Sequence, residues 1–291
     1  MTVVVDGRAM AAKLPHPDPT ANKYSRGKCV IFAGMPRYGG AAVLACRGAQ
    51  RTGAGYTVVF TVTENAGLVR GAAPSAVVGT WSAAVLTRLE ATTPERPVAY
   101  VVGPGFDADD VDTRQVTCGV LKAAAPAVVD GGALSVLGTR QARAILENRR
   151  SEGISTVITP HLGEAMRLYR ALGFEETPAD PAQLAEALAA ELGVVAVVKG
   201  PLTFIADSTE TRLMDRGTAV LAKAGTGDVL AGMMGALLAQ GLDAVDAAQL
   251  ACLLHAEAGR IAAETYTDIA AIPEDIIASI PRAIMALDAL N

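Results

Sequence analysis

Aromatic residues are scarce in this chain, only 4% of its 291 residues. Proteins that read bases or sugars by stacking need such side chains, so a stacking platform is excluded. Positive charge is not in excess either. Lys and Arg number 25 against 30 Asp and Glu, giving a net charge of −5, which leaves no electrostatic footprint for nucleic acid. The densest basic pair, Arg149-Arg150, reads as a solvated helix end. The four cysteines (Cys29, Cys46, Cys118, Cys252) are far apart and form no CxxC pair. That spacing argues against structural zinc and a disulfide framework, and a reducing, cytoplasmic compartment is expected. Long apolar runs are missing as well. Met1–Met10 contains Asp6 and Arg8 and reads as no signal peptide. Val229–Leu238 is too short and too glycine-rich to span a bilayer, so no membrane partner is expected.

What is present is core material, with 51% hydrophobic and 19% charged residues, enough for one large α/β unit. Residues 1–26 read as a loosely organised N-terminal arm, because Pro15, Pro17 and Pro19 break any helix. Residues 27–291 read as a single domain. Strand-like runs are Cys29–Ala33, Tyr56–Thr61, Val98–Val102, Ala127–Val129, Thr156–Ile158 and Val194–Val198. Helical patterns between them include Ala41–Arg51, Val111–Ala124, Gln183–Leu192 and Gly227–Gln240. Continuously apolar strands imply a parallel sheet covered on both faces, joined by right-handed βαβ crossovers. Leu202–Ala206 and Thr211–Met214 flank a polar tip and read as an antiparallel hairpin at the sheet's end.

Chemistry concentrates where strands end. In Lys223-Ala-Gly-Thr-Gly-Asp228, apolar residues recur at helical spacing from Val229 onward, so Gly225, Thr226, Gly227 and Asp228 open a helix. Free backbone N–H groups and a positive dipole end make such a turn an anion site, and the glycines let a phosphate approach. The same residues would also serve a plain helix start with a favourable first-turn acid. It is neither a Walker A loop nor a dinucleotide fingerprint. Thr159-Pro-His161-Leu-Gly-Glu164 follows a strand, where open α/β sheets bind ligands. His161 could serve a phosphate or carbonyl and Glu164 could sit near a metal, or both could be helix-start residues. Lys199, ending an apolar strand, could meet a nucleotide phosphate or merely snorkel to solvent. Gly103-Pro-Gly105 and Asp130-Gly131-Gly132 add flexible backbone and a carboxylate at the same edge, or are tight βα connections.

In this order the motifs resemble those of the ADP- or ATP-dependent NAD(P)H-hydrate dehydratases of the ribokinase-like superfamily, from about Lys23 to the C-terminal helix. The resemblance implies a ribokinase-like three-layer α/β/α fold, with a central mostly parallel sheet and helices on both faces. It implies a lyase that returns hydrated NADH or NADPH (NADHX, NADPHX) to NADH or NADPH at the expense of ADP (or ATP), releasing AMP and phosphate from ADP. Bacterial relatives mostly use ADP. It also implies Mg²⁺, held indirectly through Glu164, and a homo-oligomer, commonly a tetramer. By residue, Asp228 would be the catalytic base, and Ala41, Gly105, His161 and Asp228 would contact the hydrated dinucleotide. Lys199, Gly200, Pro201, Leu202, Thr203, Gly225, Thr226 and Gly227 would hold the adenine nucleotide. The family also occurs fused to an N-terminal epimerase; here the epimerase is expected to come from elsewhere.

Four positions depart from the family's usual pattern. Leu162 replaces a proline, expected to change loop stiffness, and Gly132 removes a second carboxylate. Ser75 replaces a common glutamate and Thr218 a common asparagine, both expected to bear on substrate fit and rate. A vitamin or thiazole kinase of the same superfamily is the nearest alternative, and a non-catalytic nucleotide-binding regulator the next.

Overall fold

The computed structural model describes residues 2–291. Among them, ten strands form one sheet: β1 (Thr2–Val4), β2 (Lys28–Phe32), β3 (Tyr56–Thr61), β4 (Val77–Thr80), β5 (Val98–Val102), β6 (Ala127–Val129), β7 (Thr156–Ile158), β8 (Val195–Val198), β9 (Thr203–Ala206) and β10 (Thr211–Met214). Their order is β1-β10-β9-β8-β7-β6-β5-β2-β3-β4. All neighbours run parallel except β9, which is antiparallel to both β8 and β10.

Alternation along each strand feeds two cores. Cys29 and Ile31 of β2 point to one face, where the helices Gly39–Arg51, Thr226–Ala239, Ala244–Ala270 and Pro273–Asp288 bury their apolar sides. Val30 and Phe32 point to the other, against the helices Val111–Leu121, Arg140–Ser151, Leu162–Ala171 and Pro181–Leu192. The result is the expected three-layer arrangement. Close backbone approach locks the first face together. A Cβ on Gly232 would stand 2.0 Å from the Ala45 carbonyl oxygen, and one on Gly48 2.6 Å from that of Val229. Glycine at both positions lets the helix Thr226–Ala239 lie directly on the helix Gly39–Arg51.

Three sequence expectations need correction. The opening of the arm is not loose: β1 pairs in parallel with β10, Asp6 caps a short helix (Gly7–Ala11), and Val5, Met10, Ala11 and Leu14 are buried. Too short for a periodic signal, this segment adds a strand through backbone pairing. The β9–β10 hairpin is antiparallel as expected, but β1 lies outside it, so it does not end the sheet. Arg149 is not a solvated helix end. It is 3% exposed and donates to the carbonyls of Leu121 (3.1 Å), Ala123 (2.8 Å), Ala125 (2.9 Å) and Ser155 (2.8 Å), and to Thr156 Oγ1 (2.8 Å). Burial pulls its guanidinium down to about 10, which leaves it charged at neutral pH. It ties together the chain entering β6 and β7, satisfying carbonyls that would otherwise be buried alone.

Candidate active site

The parallel strands deliver their carboxyl ends to one edge. β6 ends in Asp130, β7 leads into Thr159-Pro160-His161, and β8 ends in Lys199. Because β6, β7 and β8 are neighbours in register, these residues meet. Lys199 N–H donates to the Pro160 carbonyl (2.8 Å), continuing the β7–β8 ladder past the strands. Asp130 is 3% exposed and accepts from Thr159 Oγ1 (2.7 Å) and Lys199 Nζ (2.9 Å). Lys199 therefore turns inward and does not snorkel to solvent. Burial opposes its charge, but Asp130, with Glu164 and Asp228 behind it, outweighs burial and raises its proton affinity.

From the opposite side comes the helix Thr226–Ala239. Its N-cap is Gly225 at φ +97°, a left-handed conformation that glycine takes without strain. No side chain caps this end, whereas Asp110, Thr139, Asp180 and Asp243 each cap theirs. The Thr226 N–H donates to the Lys223 carbonyl (3.3 Å), while those of Gly227 and Asp228 remain available to an anion. Thr226 turns its hydroxyl away, to the carbonyls of Leu221 (2.6 Å) and Lys223 (3.0 Å), and fixes the turn. A Cβ on Gly227 would lie 3.1 Å from Lys199 Nζ, so the ammonium stands beside the helix end. Asp228, in the first turn, is held in a semi-buried setting. Burial and then the Asp130 charge push its carboxyl up to about 7; Lys199 pulls it down and Glu164 adds to the rise.

The other predicted residues divide into two flanks. Ala41 and Gly105 meet on one flank, where a Cβ on Gly105 would touch Ala41 Cβ at 2.6 Å. Gly105 also lines a cleft of about 550 Å³ with Tyr38, Phe106, Gly131, Glu164 and Arg167. Asp228 is not in that lining; the cleft adjoins the reacting edge through Gly105, Gly131 and Glu164. On the other flank Gly200 to Thr203 form an exposed turn, closed weakly between Thr203 Oγ1 and Gly200. Gly217 stands against the Pro201 carbonyl, so this turn and the chain leading to Gly225 lie side by side.

His161 and Glu164 are partly engaged in structure. His161 Nδ1 accepts from the Gly163 (3.0 Å) and Glu164 (3.4 Å) N–H groups, while Glu164 Oε2 accepts from His161 N–H (2.8 Å). This reciprocal cap leaves His161 Nε2, 3.6 Å from Glu164 Oε1, to face outward. Among the described residues no three metal-ligating side chains converge. The donor set therefore suits a Mg²⁺ that arrives on nucleotide phosphates and keeps its waters, with Glu164 beyond them.

The departures sort by position. Leu162 is the exposed first residue of its helix, where proline is only pre-organising. A side chain at Gly132 would meet the Phe106 carbonyl at 2.3 Å, so this loop leaves no room for a second carboxylate there. Ser75 precedes β4 at the amino ends of the strands and accepts from Gln50 Nε2 (3.0 Å). It lies away from the reacting edge, and the expectation that it bears on substrate fit is corrected. Thr218 is half-buried, its buried hydroxyl oxygen without a partner among the described residues.

The NAD(P)H-hydrate dehydratase family matches residues 29–282. This chain belongs to the NAD(P)H-hydrate dehydratase family. It is 35% identical over 242 residues to the bifunctional NAD(P)H-hydrate repair enzyme Nnr of Mycobacterium tuberculosis, covering 82% of this chain and 46% of that protein. The corresponding enzyme of Escherichia coli is 32% identical over 265 residues, covering 91% and 48%. The chain thus spans about half the length of the curated relatives it matches. Among solved structures, the ADP/ATP-dependent NAD(P)H-hydrate dehydratase of Bacillus subtilis, co-crystallized with ATP/Mg²⁺, superposes with a TM-score of 0.83 at 27% identity, covering 98% of this chain and 99% of that one. A hydroxyethylthiazole kinase of Pyrococcus horikoshii shares the fold alone, with a TM-score of 0.58 at 16% identity.

Asp130 and its donor Thr159 were visible in the sequence only as a carboxylate and a hydroxyl at strand ends. Their pairing with Lys199 needs the strand order. His255 was legible only as part of a helix. It is buried with Nε2 unpartnered, and burial, helped by Lys199, lowers it to about 4, so it is neutral at physiological pH.

Proposed function

We propose that this chain is an ADP-dependent (S)-NAD(P)H-hydrate dehydratase in which Asp228 is the general base and the Gly225–Gly227 turn holds the transferred phosphoryl group. The observation that carries the reading is an uncapped helix N-terminus facing the Lys199 ammonium, with a half-buried carboxylate of raised proton affinity in its first turn. A base near 7 can take a hydroxyl proton at neutral pH and release it again.

Hydroxide leaves carbon poorly and phosphate leaves well, which sets the order of steps. Asp228 takes the proton of the nicotinamide-ring hydroxyl as its oxygen attacks the terminal phosphorus of ADP. The O–P bond forms, the bond to the α-phosphate oxygen breaks, and AMP departs. The ring C–O bond then breaks with loss of a proton from the adjacent carbon, giving phosphate and the dihydropyridine. The Gly225 and Gly227 N–H groups and Lys199 offset charge on the phosphoryl oxygens. Ala41, Gly105 and His161 line the dinucleotide side; Lys199–Thr203 line the nucleotide side. Bound Mg²⁺ would neutralise phosphate charge, with Glu164 meeting it through water.

A cytoplasmic location fits four free, buried cysteines, and among the described residues no helix is long and apolar enough to cross a membrane. A homo-oligomer, as a tetramer, completes the reading and is tested by sedimentation.

The deciding assay incubates NADHX with ADP or ATP, with and without Mg²⁺. Recovery of NADH absorbance with stoichiometric phosphate is expected, faster with ADP. A stable phosphorylated alcohol would instead assign a superfamily kinase, and nucleotide binding without turnover would assign a regulator.

A further inference from the structure

We propose that Asp130 is a positioning residue for the reaction, holding the Lys199 ammonium against the first turn of the helix Thr226–Ala239, beside Asp228. The inference rests on Asp228 acting as the base.

Three distances carry it. Asp130 accepts from Lys199 Nζ at 2.9 Å and from Thr159 Oγ1 at 2.7 Å, and Lys199 Nζ lies 3.1 Å from where a Gly227 side chain would begin. Asp130 is thus fixed by β7, and the ammonium spans from β8 to the helix that bears Asp228. A buried carboxylate held this way cannot move off without leaving a charge unpaired. The charges that face Asp228 come from three elements: Asp130 after β6, Glu164 on the helix Leu162–Ala171, and Lys199 after β8. His161 Nε2 faces outward, 3.6 Å from Glu164 Oε1, and His255, beside Lys199, is neutral above about 4. Within the working range, the Asp130–Lys199 pair is therefore what substitution can change with opposite sign. Removing Asp130 takes a negative charge from near Asp228 and leaves the ammonium, which eases ionisation. Removing Lys199 does the reverse. An ion pair serving only the fold would give the same loss from either side and no such split.

The experiment measures kcat/KM against pH for the full chain and for Asp130→Asn, Lys199→Met and Lys199→Arg, with NADHX and ADP. The acid limb is expected to move down by roughly one pH unit in Asp130→Asn and up by roughly one unit in Lys199→Met. Lys199→Arg should bring it back toward the parent. Limbs that move together, or do not move, overturn the proposal. Should Asp130→Asn fail to fold, the Lys199→Met and Lys199→Arg pair decides alone, and carbon-NMR titration of the Asp228 carboxyl reads the same shift without turnover. Asp228→Asn distinguishes the two levels: full turnover in that variant would sink the base assignment itself, whereas loss of turnover with unsplit limbs sinks only the role of Asp130.

Discussion

The two ends of the parallel strands bury charge in different ways. At the amino ends, Arg149 is surrounded by four carbonyl oxygens and a hydroxyl, all neutral. At the carboxyl ends, Lys199 and Asp130 pair with each other, and Asp228 sits nearby with its proton affinity raised. The first arrangement satisfies every group and asks for no partner. The second concentrates charges that burial penalises beside an uncapped helix end. Buried charge by itself does not mark a site. What distinguishes the two is whether the neighbours leave chemistry undone.

Breaking the structural end should cost the most stability. Arg149→Met strands four carbonyls and is expected to destabilise the fold by about 3–5 kcal/mol, read by urea unfolding, while the folded fraction keeps its KM for ADP. At the reacting end, Gly225→Ala places a methyl 2.6 Å from Leu44 Cδ1 at φ +97°. Turn and helix end must shift, so KM for ADP should rise roughly tenfold, measured by steady-state kinetics. A change confined to stability would mean that the turn does not hold phosphate.

Smaller effects sharpen the contrast. The parent's kcat/KM should fall as pH drops through about 7, because a protonated Asp228 cannot accept the hydroxyl proton. A flat profile down to pH 5 would count against that. Smallest of all, Leu162→Pro at an exposed helix start should stabilise by about 0.4–1 kcal/mol without altering kcat.

Much of this was legible in the residues. The six β-branched runs became β2, β3 and β5–β8 with ends shifted by a residue at most, because strands buried on both faces are apolar throughout. The glycine turn and Asp228 stand out because a helix that opens with Gly-Thr-Gly-Asp has a local signature. β1 and β4 did not stand out; they are short, partly exposed edge strands held by pairing with β10 and β3. Arg149 could not be read correctly either, since its acceptors lie 24 to 28 residues away in sequence or beyond the next turn. The same holds for Asp130 and Lys199, 69 residues apart and joined only by the β6-β7-β8 order. Local chemistry was visible; partnerships made by topology were not.

If charge at the carboxyl ends is kept for chemistry at the expense of stability, Asp228→Asn shows it in one variant. Because the folded carboxyl binds its proton more tightly than the unfolded one, ionised Asp228 destabilises the fold increasingly as pH rises from about 4 through about 7. Thermal unfolding at pH 8 should therefore show the asparagine variant melting roughly 2–4 °C above the parent, with the gain vanishing near pH 4, while NADHX turnover falls by about a hundredfold or more. A variant that melts lower than the parent at pH 8, or that keeps its turnover, would contradict the account.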